Sequence, residues 1–384
     1  MARLGDYVEQ IRGVSYKPED VCSSEDINAI PILRANNIQD DGLVFDDLVY
    51  VKKNKISAIQ YVKAGDIVVC ASSGSKNLVG KAAISSEDMS VSFGAFCKVV
   101  RPTKLLPSYV GHYFRSPKYR QKISELAEGA NINNIRNEHI DELDIVIVSE
   151  EEQERIVKEL DALNYLISLR KQQLSKLDEL VKSRFIEMFG DPMYNPNRLP
   201  TKPLAELGSL DRGRSKHRPR NDPKLLGGPY PLIQTGEVSN AGLYVTEYQN
   251  TYSELGLQQS KMWNAGTLCI TIAANIAQTA ILTFNACFPD SVVGFIPTDE
   301  IDAIYMHYWF SFFQKILDEQ APQVAQKNIN LKILSELQVM IPSKEEQQEF
   351  VAFVKQTDKL KIEIQQSLEK LETLKKALMQ KYFR

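Results

Sequence analysis

The chain has 384 residues, too long for one ordinary domain and suited to two or three. Its hydrophobic share of 43% is ordinary for soluble globular protein, and no run approaches the roughly eighteen apolar residues of a membrane-spanning helix. The net charge of −3 does not exclude a polyanion partner, because binding follows the local field and residues 212–220, RGRSKHRPR, are densely basic.

Residues 1–149 read as a mixed α/β domain. Short runs rich in Val and Ile at 31–34, 48–52, 66–70 and 96–100 predict strands. A polar loop follows at 72–77. Residues 107 to 127 predict one helix, 129–135 a second polar loop, and 144–148 a last strand. The opening segment, MARLGDYVEQ, lacks the apolar core of a signal peptide.

A long helix is expected over 150–192. Ile156, Leu160, Leu163, Ile167, Leu174, Leu177, Val181 and Met188 recur at alternating steps of four and three, with Arg170 and Arg184 filling two gaps. That is the a/d seam of a coiled coil. Ser149 followed by three glutamates favours the positive end of the helix dipole, and Gly190 with Pro192 ends the run. A Pro/Asn-rich linker, MYNPNRLP at 193–200, opens a second α/β domain assigned to 193–342. A second long helix fills 343–384, with its seam at Phe350, Val354, Ile364, Leu368, Leu371, Leu378 and Tyr382.

The two halves repeat. Glu151-Glu152-Gln153 recurs as Glu345-Glu346-Gln347, an offset of 194 residues. At the same offset Leu174, Leu177, Leu180 and Phe189 meet Leu368, Leu371, Leu374 and Phe383. His112-Tyr113-Phe114 is matched by His307-Tyr308-Trp309, and Pro31-Ile32-Leu33-Arg34 by Pro231-Leu232-Ile233-Gln234. This predicts an internal duplication. The segments between the matched stretches differ: 72–81 against 271–279, and 129–136 against 320–330. One frame with two loop sets suits a molecule that reads two different targets.

Catalytic motifs are weak. The run from Gly74 to Ala82 resembles a phosphate-binding loop, but its glycines are one residue too far apart and Ala82 stands where Ser or Thr would hold magnesium. Asn195-Pro196 is followed by Asn197-Arg198, not by the Pro-aromatic pair of a methyltransferase tetrapeptide. His112 and His307 sit beside aromatics inside predicted helices, where packing is the expected role. Cys22, Cys70, Cys97, Cys269 and Cys287 are odd in number and form no CxxC pair, which fits a reducing cytoplasm. No metal site, cofactor or catalytic centre is expected in this chain.

Loops rich in Arg, Lys, Asn, Gln and Ser remain, and such side chains suit base edges and phosphates. The candidate DNA-binding residues are Ser73, Lys76, Asn77, Asn131, Asn133, Asn134 and Arg136 in the first half. In the second half they are Arg214, Lys216, Arg218, Asn275, Gln278, Gln323, Gln326, Lys327 and Asn328. The basic run is expected to be a flexible loop touching phosphates, and the amides of Asn275, Gln278, Gln323 and Asn328 to read bases. On the long helices Leu160, Ile167, Leu174, Leu177, Leu180, Ile364, Leu368, Leu371 and Leu374 are the candidate partner-binding positions. Leu166, Leu169, Phe185 and Leu360 add apolar surface that one partner helix cannot cover.

The chain resembles the specificity (S) subunit of Type I restriction-modification systems. The resemblance rests on Glu151-Glu-Gln-Glu-Arg-Ile-Val157, on Arg184-Phe-Ile-Glu-Met-Phe-Gly-Asp-Pro192, on the 113–148 stretch with Arg115-Ser116-Pro117, and on the repetition of this plan. It implies duplicated α/β target-recognition domains separated by two long antiparallel coiled-coil helices. It also implies a non-catalytic subunit that binds double-stranded DNA, each domain reading half of a bipartite target. Two methyltransferase subunits would bind it and carry the S-adenosylmethionine chemistry, and motor-nuclease subunits would join for cleavage. No membrane is implied, and the compartment is the cytoplasm. Two other classes remain open from the residues alone: a stand-alone sequence-specific DNA-binding regulator, and a coiled-coil scaffold whose α/β domains bind protein. Purification with or without large partners separates the first, and salt-dependent DNA binding the second.

Overall fold

The computed structural model describes residues 1–384 except 40–41, 76–77, 127–132, 274–275 and 321–328, and the backbone alone at 133 and 313–320. The contacts divide the chain into two compact units, Met1–Gln172 with Gln365–Arg384, and Gln173–Ile364. The division runs through both long helices. Each unit therefore holds one α/β body, the start of one long helix and the end of the other.

In the first unit an antiparallel sheet orders Val8–Arg12, Cys97–Pro102, Ile67–Cys70 and Ala82–Ile84. Ile67–Cys70 reads as an unbroken apolar run because it is covered on both faces. Ile67 and Val69 point into one core cluster, and Val68 and Cys70 into another. A second sheet orders Val49–Lys52, Ala29–Leu33 and Ser92–Phe93, the last pair parallel. The second unit repeats this plan. Gly208–Arg212, Val292–Pro297, Leu268–Thr271 and Thr279–Leu282 form the matching sheet, with Tyr244–Val245 added at its edge. Leu232 pairs parallel with Cys287 as Ile32 does with Ser92.

Two elements differ from the sequence expectation. The helix expected over 107–127 is two helices, Pro107–Tyr113 and Pro117–Leu126. Pro117 lacks the amide hydrogen that would continue the first, and the Ser116 hydroxyl instead accepts from the Tyr119 amide at 3.2 Å. The expected strand over 144–148 is only Asp144–Ile145, paired with Ala2–Arg3. Pro203 and Gln338 close the matching pair in the second unit.

The long helices span Glu150–Phe189 and Lys344–Tyr382. Both start on the same device. Ser149 and Ser343 hydroxyls each accept from the amide three residues on, at 3.3 Å, and the Ser343 amide donates to the Glu346 carboxylate in return. Gly190, at φ +80°, ends the first helix, and a Cβ there would lie 2.6 Å from the Pro196 ring. Within the first unit Arg170 donates to Ser367 and the Tyr382 hydroxyl bonds Glu159, so the two helix segments run antiparallel. Within the second, Lys361 with Asp178 and Arg184 with Glu349 give the same sense.

The repeated Glu-Glu-Gln now has a physical reason. Gln153 is buried; its side chain accepts from the Leu106 amide at 2.9 Å and donates to the Val148 carbonyl at 3.0 Å. Gln347, also buried, accepts from the Asp302 amide at 2.9 Å and donates to the Pro342 and Glu300 carbonyls. Each glutamine ties a helix start to its α/β body. The far end of the other helix closes the same joint: Phe383 packs 5.2 Å from the Tyr109 ring, and Phe189 packs 5.1 Å from Tyr305. Those tyrosines donate to the Val146 and Met340 carbonyls.

Candidate nucleic-acid interface

In each unit the frame brings the described ends of the two dissimilar loops together. Ile135 donates its amide to the Ala71 carbonyl at 2.8 Å in the first unit, and Ile329 to the Ile272 carbonyl at 3.0 Å in the second. The residue just after the central strand therefore lies beside the residues that lead into the last short helix. In the first unit the contact extends into a two-stranded ladder, Ser73 opposite Asn133 and Ser72 opposite Asn134. Ser73, Asn133 and Asn134 are thus gathered at one place. Arg136 is exposed at the head of the helix Asn137–Asp141.

In the second unit Gln278 closes the hairpin from Leu268–Thr271 to Thr279–Leu282. Its amide donates to the Thr271 hydroxyl at 3.0 Å, and its carbonyl accepts from the Thr271 amide at 2.9 Å. The basic run leaves the same end of the sheet, since Thr271 pairs with Val292 and Gly213 donates to the Val292 carbonyl. Where a flexible loop is expected, the run makes contacts at several points. Gly213 is buried with no room for a Cβ, which would come 2.3 Å from the Phe288 carbonyl oxygen. Asp290 gathers the arginines: Arg220 pairs with it at 2.6 Å, Arg218 lies 3.9 Å away, and Arg212 donates to its carbonyl. Arg214 faces Asp211 at 3.9 Å, and the Lys261 ammonium bonded to Asp211 at 2.9 Å holds that carboxyl below its usual range. Arg218 also donates to the Ser215 and His217 carbonyls. The carboxylates fix guanidinium positions while leaving them about half exposed. Lys216 stands exposed among them.

A cleft occupies the same place in both units. In the first it measures about 830 Å³ and is lined by Val14, Tyr16, Arg34, Asn36, Ser72, Ser73 and Phe96, among others. In the second it measures about 380 Å³, with Ser215, Arg220, Asn221, Gln234, Asn250 and Ser291 on its walls. The positions correspond through the backbone. Val14 donates to the Phe93 carbonyl as Arg214 does to the Phe288 carbonyl, which matches Ser15 with Ser215. Ala71 donates to the Phe96 carbonyl at 2.9 Å as Ile272 does to the Ser291 carbonyl at 3.0 Å. The first cleft is mostly apolar with an exposed aromatic, and the second mixes polar residues with Leu226, Leu232 and Tyr252; each has one arginine on its wall.

Lys76, Asn77, Asn131, Asn275, Gln323, Gln326, Lys327 and Asn328 lie outside the described residues, as does the Asn133 side chain. Sequence reasoning missed Phe96, Arg34, Gln234 and Asn250. It also missed the repeat Arg12-Gly13-Val14-Ser15 against Arg212-Gly213-Arg214-Ser215, a signal present in the chain at an offset of 200 instead of 194. Of the apolar positions on the long helices, Leu160, Ile167 and Leu368 are buried within the first unit. Leu174, Leu177, Ile364 and Leu371 are half-buried. Leu180 and Leu374, one repeat apart, are 49% and 47% exposed and present apolar surface. Among the described residues no group of three His, Cys, Asp or Glu side chains could hold a metal ion, and no helix is long and apolar enough to cross a membrane.

A family model for the Type I restriction modification DNA specificity domain matches residues 1–179 and again 199–376. The chain is 42% identical over 173 residues to the StySPI specificity subunit of a Type I restriction enzyme from Salmonella potsdam, covering 45% of this chain and 37% of that protein. It is 29% identical over 405 residues to the EcoKI specificity subunit from Escherichia coli (strain K12), covering 97% of this chain and 86% of that one. The fold is similar to that of a chain in a solved type I R-M system, with a TM-score of 0.58, 18% identity and coverage of 100% and 97%. It is also similar to the Type I S subunit from M. genitalium, with a TM-score of 0.56, 13% identity and coverage of 100% and 95%. The two domain matches take in nearly the whole chain, which belongs to the Type I restriction modification DNA specificity family and carries that domain twice.

Proposed function

We propose that this chain is the non-catalytic target-reading subunit of a Type I complex, with residues 1–149 and 193–342 each reading one half of a bipartite double-stranded DNA target. The observation that carries this reading is the pair of equivalent clefts. The backbone bonds that build them repeat, while most residues on their walls, Ser15 and Ser215 apart, do not. A frame held constant with its reading surface changed gives two halves of different sequence. The long helices, 150–192 and 343–384, separate the two readers and hold two methyltransferase subunits, one per half, on exposed positions such as Leu180 and Leu374. Those subunits supply S-adenosylmethionine chemistry, so the pure chain binds that cofactor no better than background. Motor-nuclease subunits join for cleavage, and the compartment is the cytoplasm.

The anchored arginines suit phosphate contact. A guanidinium held by a carboxylate keeps its position yet offers its remaining donors outward. The test is an exchange of residues 201–342 for the corresponding segment of a relative, followed by sequencing of methylated positions in the host genome. One half of the methylated target changes and the other stays. A target that changes in both halves, or in neither, overturns the division.

A further inference from the structure

The two clefts differ at one shared frame position, Phe96 in the first and Ser291 in the second. Phe96 and Ser291 each precede the strand that follows, and each accepts a hydrogen bond at its carbonyl from the residue after the central strand. The Phe96 carbonyl accepts a second one, from the Ser72 amide at 3.0 Å. The backbone is therefore pinned, while the Phe96 ring is 68% exposed. An exposed ring on a pinned backbone contributes little to the core. It stands beside Ser72 and Ser73, the strand that pairs with Asn133 and Asn134, so it sits where the two variable loops meet.

We infer that Phe96 is a specificity-determining contact of the first domain and reads the 5-methyl group of a thymine in the major groove. The inference rests on the DNA-reading assignment above and deepens it. Thymine is the one base that presents an apolar group on the major-groove edge, and an aromatic side chain meets it by apolar contact. An exposed ring beside Ser72 and Ser73 matches that edge, where the methyl lies next to the O4 acceptor. Ser291, on the same backbone in the second domain, has no apolar surface to offer, so the preference belongs to one half of the target.

The experiment uses the full-length chain with the methyltransferase subunits that co-purify with it, and duplexes bearing its methylated target. Each thymine on either strand is replaced in turn by deoxyuridine, which removes only the methyl group. One replacement, in the half assigned to residues 1–149, weakens binding about fourfold, the worth of one buried methyl-sized group. Phe96→Ala binds the thymine and uridine duplexes equally, and Phe96→Leu restores part of the difference. If no replacement matters, if the sensitive thymine lies in the other half, or if Phe96→Ala keeps the wild-type sensitivity, the inference fails. It fails equally if Phe96→Ala loses the methyltransferase subunits while its uridine discrimination persists, since Phe96 is then a protein contact. The domain exchange separates this failure from the larger one. A half-target that moves with the exchanged domain while uridine has no effect sinks only the thymine assignment.

Discussion

The two units build the same joint from different materials. In both, a buried glutamine, a tyrosine hydroxyl and a terminal phenylalanine fasten the α/β body to the long helices. One step away the chemistry diverges. The histidines that match in sequence are one position apart in the structure, where Tyr109 and Tyr305 are equivalent: His112 bonds the Asp161 carboxylate at 2.9 Å, whereas His307 bonds the Thr279 hydroxyl at 3.0 Å. Phe185 sits in a cluster of rings with Phe189, Tyr305 and Phe350, whereas one repeat later Met379 fills the corresponding place. The comparison teaches which atoms the fold demands. Backbone groups that would be orphaned must be satisfied identically in both copies, while volume can be filled in more than one way.

The ring cluster is where the units should separate most. Phe185→Ala is expected to cost the second unit about 3–5 kcal/mol, and Met379→Ala to cost the first about 2–4 kcal/mol, read by denaturant unfolding. Equal losses would mean that the rings add nothing beyond volume. Next comes the helix surface. Leu180→Glu with Leu374→Glu should leave the fold intact and weaken methyltransferase association by several kcal/mol, since a charge would be buried at each contact. Unchanged co-purification would rule these positions out. Leu174→Glu with Leu368→Glu is a poorer probe of assembly, because Leu368 is already buried in the first unit.

The glutamine joints should differ by one hydrogen bond. Gln153→Leu and Gln347→Leu leave buried amides and carbonyls unsatisfied, each loss costing about 1–3 kcal/mol. Gln347 makes three such bonds against two for Gln153, so its substitution should lower the melting temperature further. Smaller still is a pH effect confined to the second unit. Burial pushes the His307 imidazole down to about 4 from 6.5. Its contribution is complete above pH 6.5 and is lost as pH falls towards 4, because the unfolded state takes up the proton first. The residue keeps partial exposure, so the loss should be on the order of 1 kcal/mol. Urea unfolding at pH 7 and pH 5 measures it, and His307→Gln should flatten the difference. The smallest effect belongs to Lys216→Ala. It should weaken DNA binding at all sequences alike and reduce the salt slope by about one. A change in the methylated consensus would instead make Lys216 a base contact.

Much of this was legible in the chain because the duplication keeps its spacing near the helices. The offset of 194 holds along the long helices, where Gln153 and Phe189 fix the register. Further upstream the offset drifts to 200, where residues 31–34 match 231–234, and the short Arg-Gly-x-Ser repeat is too brief to stand out beside it. The break at Pro117 was also written in the sequence. Proline inside a helical pattern is a stop, but the strong apolar period on either side conceals it. Phe96 was hidden for the opposite reason. It heads a run of Val and Cys that reads as strand, so its ring is expected in the core, whereas the strand starts one residue later, at Cys97. The Asp290 cluster could not be foreseen, because nothing local ties residue 290 to residues 212–220.

The pinned carbonyls at Phe96 and Ser291 carry an evolutionary consequence. The fold at that position depends on a main-chain oxygen, which every amino acid possesses. The side chain stands largely in solvent at Phe96, where substitutions usually change stability by less than about 0.5 kcal/mol. Mutation can therefore sample new side chains there without first acquiring a stabilising change elsewhere. A single codon can thus change the side chain that the first cleft presents, while the scaffold around it stays under unchanged selection.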